Sequence, residues 1–379
     1  SAEWECWLDT QIERTKEVYS SDPERITSDY NREVKQRENY TGRSLLELIQ
    51  NADDAGLNSS SSVDVLIQLT DVGLFVANSG EPFSRDGIKS LMLSDNSPKQ
   101  FREECIGYKG LGFRSVLNWS SSVVIHSGKI SIGFSETYAA EFLDELRCEY
   151  EEVEDLLNRR YSGSEVTHPI ATLSTPRLLS SENIDDAQLQ EVYEHGKNLK
   201  RDGYDTVICI PLFNSDARTQ VKEEINSLFE ELMLFLRNIE DFRIQSPERE
   251  EHWKINRSGN TVTILHGGGA SSTWEIFEDS GQIPQEYRES HQTKDQYEIK
   301  VAVPSDFTQI RATSNLFVFF PTKVAFPFPM LAHGTFHVND SRNHLTKTDA
   351  NRFVAKQLAS TMVEAAEENR SEADPWRAL

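Results

Sequence analysis

The stretch Leu46-Glu47-Leu48-Ile49-Gln50-Asn51-Ala52-Asp53-Asp54-Ala55 decides how this chain is read. Together with Ser44 and Leu45 it reads as a helix over 44–55, with Leu45, Leu46, Leu48, Ile49 and Ala52 apolar and Gly56 as its C-cap. Glu47, Asn51 and Asp54 fall at i, i+4 and i+7, so they share one face. That polar row cuts into a helix that otherwise seeks burial, and buried polar groups need partners. A metal ion carrying a phosphate ligand would supply them. Asn51 offers a neutral oxygen to Mg2+, and Glu47 can orient and deprotonate a water. The plainer alternative is an exposed polar face.

A second stretch reads Ile106-Gly107-Tyr108-Lys109-Gly110-Leu111-Gly112-Phe113-Arg114-Ser115-Val116. Its glycines let backbone approach a ligand closely, and a helix beginning near Phe113 would aim N–H groups at an anion. Lys99 and Lys109 would add positive charge on phosphates; otherwise they are solvated lysines. The G-x-x-x-x-G-K-[ST] pattern is absent, so this is no Walker A loop.

Together the two stretches resemble the GHKL (Bergerat-fold) ATPases, the superfamily of gyrase B, MutL, histidine kinases and the chaperone HtpG. Glu47, Asn51, Ala52, Asp54 and Ala55 fill E-x-x-x-N-A-x-D-A, and Gly107, Gly110, Gly112 and Phe113 fill G-x-x-G-x-G-F. Between them, Asn78-Ser79-Gly80-Glu81-Pro82-Phe83 stands in place of a D-x-G-x-G box. Asn78 replaces the family's adenine-reading Asp, and Pro82 its second glycine. An Asn can accept from the adenine amino group and donate to a ring nitrogen; otherwise Asn78 caps a turn. Asp205-Thr206-Val207-Ile208 sits where the family has G-T-x-[IV], which implies that Thr206 helps bind adenine. Asn339-Asp340-Ser341-Arg342-Asn343-His344-Leu345 resembles a stretch whose arginine reaches the γ-phosphate, so Arg342 is either that sensor or an ion-pair arginine. The wording is most similar to the sacsin-type and No-Vein-type branch, to which Leu234–Ile239, Leu316–Pro321 and Gly334-Thr335-Phe336 also correspond.

The resemblance implies an α/β (α+β) two-layer sandwich of Bergerat type over 1–215, opening with a helical extension over 1–40. A smaller α+β transducer-like domain over 216–379 would follow. It also implies slow hydrolysis of ATP to ADP with Mg2+. Glu47 would be the base, Asn51 the metal ligand and Arg342 the sensor. Asp54, Asn78, Gly80, Lys99, Gly107, Lys109, Gly110, Leu111, Gly112, Phe113 and Thr206 would line the nucleotide. An ATP-dependent homodimer acting on a protein client or partner subunit is expected. The alternative is a nucleotide-gated regulatory ATPase of a DNA-processing or phage-defence system.

The rest of the chain fits that frame. Residues 3–40 look helical with a break at Asp22-Pro23. Val63–Leu69 pairs with Leu74–Ala77, and Val123–His126 with Lys129–Phe134. Residues 136–160 read as one acidic helix, and Thr206–Leu212 as a buried strand. Val221–Ile239 reads as one amphipathic helix. Strands follow at Trp253–Asn256, Val262–His266, Thr273–Phe277, Tyr297–Val303 and Leu316–Phe320, then a helix over Asp349–Glu368. His333 and His337 lack metal spacing.

Composition limits the partners. In 379 residues, 39 Lys+Arg against 62 Asp+Glu leave a net charge of −23, which repels a phosphate backbone from most of the surface. Direct nucleic-acid contact is therefore not expected. No apolar run approaches the ~18 residues of a membrane helix, so no membrane partner is expected. The first residues show neither a basic nor an apolar leader region. Four scattered cysteines, Cys6, Cys105, Cys148 and Cys209, fit a reducing cytoplasmic setting.

Overall fold

The computed structural model describes residues 2–57, 62–92, 112–288, 295–307, 314–339 and 341–371. The chain is mixed α/β and divides into two compact units. The first holds Ser1–Ser227 with Arg243–Glu250, and the second Leu228–Phe242 with Glu251–Leu379. The division follows Ser227 rather than residue 215.

In the first unit, helices α1 (Ala2–Ser21) and α2 (Glu24–Asn39) flank the turn at Pro23. Helix α3 (Ser44–Asp54) buries Leu45, Leu48, Ile49 and Ala52. It ends at Ala55, whose backbone stays right-handed, and Gly56 donates to Asp53 O at 3.0 Å. The expected left-handed Gly56 cap does not form, because the turn closes on these short backbone bonds instead.

Strands β1 (Val63–Leu69) and β2 (Gly73–Asn78) make the expected hairpin, closed by Thr70 N–H on Gly73 O at 2.9 Å. Helix α4 (Arg85–Met92) and a 3-10 turn over Phe113–Asn118 come next, then the hairpin of β3 (Ser122–Ser127) and β4 (Ile130–Ser135). Phe113 thus opens a six-residue 3-10 segment, not an α-helix. The acidic segment is two helices, α5 (Glu136–Glu149) and α6 (Glu151–Tyr161), because Tyr150 is extended (φ −128, ψ 106).

Strand β5 (Arg177–Leu178), helix α7 (Ala187–Arg201), strand β6 (Thr206–Pro211) and helix α8 (Ser215–Asn226) complete the main run of this unit. The strand order here is β1-β2-β6-β3-β4-β5, antiparallel wherever its pairs are registered. Leu66, Phe75, Ala77, Val124, Val207 and Cys209 pack with Val192, Tyr193 and Leu199 of α7. The alternate residues Val65, Ile67, Val76, Ile125 and Ile208 are also buried, so both faces are covered.

In the second unit, a 3-10 segment over Glu230–Phe235 leads to β7 (Ile239–Gln245), whose last three residues are counted with the first unit. The expected helix over Val221–Ile239 therefore stops at Asn226. A 3-10 turn stacks i and i+3, so Leu232 and Phe235 bury without an α-helix, and Ile239 starts a strand.

Strands β8 (Glu250–Ser258), β9 (Thr261–His266), β10 (Ser271–Gln282) and β11 (Gln296–Pro304) form a meander. Then come β12 (Asn315–Val318), β13 (Phe320–Ala325), β14 (Leu331–Gly334) and α9 (Asp349–Glu368). The apolar run 316–321 is a tight hairpin rather than one strand. Phe319 turns it at φ 62, with its N–H on His333 Nδ1 at 2.9 Å and its ring 4.4 Å from the imidazole. Helix α9 sets Val354, Leu358 and Ala365 in a core with Ile299, Val301 and Val303.

Candidate functional site

Glu47 lies in the first turn of α3 and is 5% exposed; Asp54 is 3% exposed, and Asn51 is half-buried. Helix α3 packs on β1, β2 and the 3-10 turn that starts at Phe113. That packing brings Gly112 onto Glu47. A Cβ at Gly112 would lie 2.6 Å from Glu47 Cγ and 2.7 Å from Cδ, and closer still to Oε2. Residue 112 must be glycine for the acid to hold its place. The end of the glycine-rich stretch and the polar row of α3 therefore meet in space. Lys99, Gly107, Lys109, Gly110 and Leu111 lie outside the described residues.

The other end of α3 meets a second group of predicted residues. Asn78 and Thr206 are register partners in β2 and β6. Both are buried, and Asp205 N–H donates to Asn78 O at 3.0 Å. Asn78 Nδ2 donates to Ser79 O at 2.9 Å. Gly80 takes φ +110, and a Cβ there would stand 2.8 Å from Ala55 O. Glu81 N–H donates to that same carbonyl at 2.8 Å, tying the turn to the end of α3. Thr206 Oγ1 is 2.7 Å from Ser127 Oγ, which also accepts Phe83 N–H at 2.8 Å.

Three supporting residues were given no role in the sequence reading. Asp205 stands where the resembled pattern has glycine, and its Oδ2 accepts Gly80 N–H at 3.0 Å. Ser127 ties Thr206 to Phe83. Glu224, on α8, accepts Leu45 N–H at 2.8 Å. Burial lifts its carboxyl to about 7, against the opposing pull of backbone N–H groups and Arg43. The substitution at 205 was visible as a departure from the pattern; the other two had no signal.

Arg342 belongs to the second unit and sits in a loop built around Asn339. Asn339 Oδ1 accepts the N–H groups of Asn343 and His344, each at 3.1 Å, and Arg342 N–H reaches Asn339 O at 2.8 Å. Arg342 itself has φ 54, unusual outside glycine. Buried His333 accepts the Phe319 N–H. Among the described residues no cluster of three or more His, Cys, Asp or Glu side chains is placed to hold a metal. No helix among them is long and apolar enough to cross a membrane.

No protein-family model matches this chain, and no curated protein does. Among solved structures it is similar to one described as the N terminal domain of a DNA repair protein. The identity is 11%, the coverage 77% of this chain and 78% of that one, and the TM-score 0.33. A likeness that slight carries neither fold nor function.

Proposed function

We propose that the first unit is a Bergerat-type nucleotide site that binds ATP with Mg2+ and hydrolyses it to ADP and phosphate. The observation that carries this reading is the seating of Gly112 against the Glu47 carboxylate, which joins the two stretches that resemble GHKL ATPases. Asn51 suits the metal: it offers a neutral oxygen, a donor type that a hard cation takes, on the same helix face as Glu47. Asn51 would hold Mg2+, which would supply positive charge at the phosphates. Glu47 takes the proton of the attacking water. Its low exposure keeps bulk solvent from competing for that carboxylate.

Asp54, Asn78, Gly80 and Thr206 serve the base end of the nucleotide. Because Thr206 already shares a hydrogen bond with Ser127, it acts through that pair rather than alone. Lys99, Lys109 and the glycines up to Gly112 serve the triphosphate, and Arg342 the γ-phosphate. The role is sacsin-like or HtpG-like: nucleotide-driven closure and dimerisation that remodel a protein client in the cytoplasm. The −23 balance favours a protein client over direct nucleic-acid contact.

The test is E47A. ATP turnover should fall by roughly 10²–10⁴-fold, while binding of a non-hydrolysable analogue persists. Turnover equal to wild type removes Glu47 as the base. Wild-type protein that binds no adenine nucleotide ends the reading altogether.

A further inference from the structure

Helix α3 presents Glu47 from its first turn, yet that end of the helix has no cap of its own. Arg43 occupies the N-cap position and makes no side-chain capping bond. By contrast α5, α7, α8 and α9 are capped by Ser135, Asp186, Asn214 and Thr348. The first N–H groups of a helix have no partner within it, and leaving them buried and unbonded is costly. For α3 the acceptor arrives from 179 residues away: Glu224 Oε2 takes Leu45 N–H at 2.8 Å, and Ser44 N–H bonds the same carboxylate. Ser44, Leu45 and Glu224 are all buried.

The end of α8 that carries Glu224 is itself pinned. Arg249 Nη1 donates to Ile225 O at 2.5 Å, and Lys222 pairs with Glu248 at 2.5 Å. Ser227 is the last residue of the first unit before the chain enters the second, and Arg249 lies on the stretch that returns from it.

We propose that Glu224 is a positioning residue for ATP hydrolysis, its carboxylate fixing the first turn of α3 and with it the direction in which Glu47 is presented. The inference rests on the ATPase reading above. Without the cap, the Glu47 N–H bond to Arg43 O, at 3.1 Å, belongs to a turn free to fray. A shift of about 1 Å in a catalytic group costs on the order of 100-fold in rate.

The experiment compares the 379-residue wild-type chain with E224A and E224Q, each shown folded at the assay temperature by circular dichroism. E224A should lose about tenfold or more in kcat and need more Mg2+ for half-maximal rate. Its affinity for ADP in chelator should stay at the wild-type value, because the base end of the site is at the opposite end of α3. E224Q keeps an acceptor oxygen and should recover most of kcat. Hydrogen exchange at 44–47 should quicken in E224A and not in E224Q. Unchanged kcat in folded E224A overturns the proposal. So does a parallel loss of kcat and ADP affinity in both variants, which would mark a purely structural acid. A wild-type protein with no turnover instead defeats the ATPase reading, and the positioning role with it.

Discussion

Two regions carry the residues singled out in the sequence, and they are built in opposite ways. Around α3, several of the predicted residues meet distant parts of the chain: Gly112 against Glu47, Gly80 against Ala55 O, Asn78 beside Thr206, with Glu224 on Leu45 behind them. The turn around Asn339 draws mostly on short-range bonds, from Asn339 to Arg342, Asn343 and His344 and the bridge of Val338 with Leu345, and it takes one bond from a distant strand, Lys323 N–H on Asn343 O at 2.8 Å. A site set into a core is precise because its atoms cannot move singly. A turn held mostly by short-range bonds can change shape with less disturbance to the core, as befits a residue that responds to a ligand rather than transforms one. In the first region, substitution should upset position and packing together. In the second, backbone and side chain should be separable.

The hardest test of that contrast is G112V. Its side chain would fall within van der Waals overlap of Glu47 Cγ and Cδ, both inside 3 Å of a Cβ. Overpacking of this kind costs about 1–3 kcal/mol, and displacing the acid should cut ATP turnover by roughly 100-fold. Thermal unfolding and steady-state turnover read the two effects. A variant with wild-type turnover would show that the Gly112 contact is dispensable, and would remove the observation that joins the two stretches.

The next test uses acidity. Burial raises the folded-state value of Glu224 from 4.5 to about 7. A folded value above the unfolded one means the native state holds the proton more tightly. The resulting stabilisation is complete below 4.5 and is lost as pH rises through 7. E224Q, which cannot ionise, should therefore gain on wild type from pH 4.5 upward, reaching about 3 kcal/mol above pH 7. His126 provides an internal control. Burial lowers it from 6.5 to about 4, with its ring bonded to Ser131 Oγ at 2.8 Å and Tyr193 O at 3.0 Å. Its stabilisation is present above 6.5 and is lost as pH falls through 4, the reverse sense. Denaturant melts across pH 4–8 separate the two. A difference between E224Q and wild type that does not vary with pH would refute the buried-acid account of the cap.

The same contrast explains what could be read from the sequence. Helix α3, the β1–β2 hairpin and α9 follow from local periodicity and turn chemistry, and the structure has them where the pattern puts them. Periodicity misled at Val221–Ile239, because an i, i+3 apolar repeat suits a 3-10 turn as well as an α-helix. It misled again at 316–321, where a run of apolar residues conceals a reversal that His333 accepts and stacks on. Glu47 and Asn51 stood out as polar residues in an apolar helix. Glu224 did not, since a glutamate on an amphipathic helix is normally solvated and only a partner 179 residues distant shows otherwise. The steric fit of Gly112 to Glu47 is likewise a tertiary fact, with no trace in spacing.

The gentlest test falls on the loop. Arg342 pays for its place with a left-handed backbone, φ 54, a conformation that costs an L-residue roughly 1–2 kcal/mol and glycine almost nothing. R342G removes the guanidinium while easing the backbone, so its melting temperature should fall less than that of a variant that keeps a Cβ. R342V, branched at Cβ, should lose about 1 kcal/mol or more at the same site. Where R342G is folded at the assay temperature, a fall in turnover that R342K restores belongs to the lost charge and supports the γ-phosphate role. Turnover unchanged in R342G takes Arg342 out of the reaction. A melt that drops as far in R342G as in R342V would mean that the side chain, not the backbone, holds the loop, and the separability that distinguishes this region from the α3 site would fail.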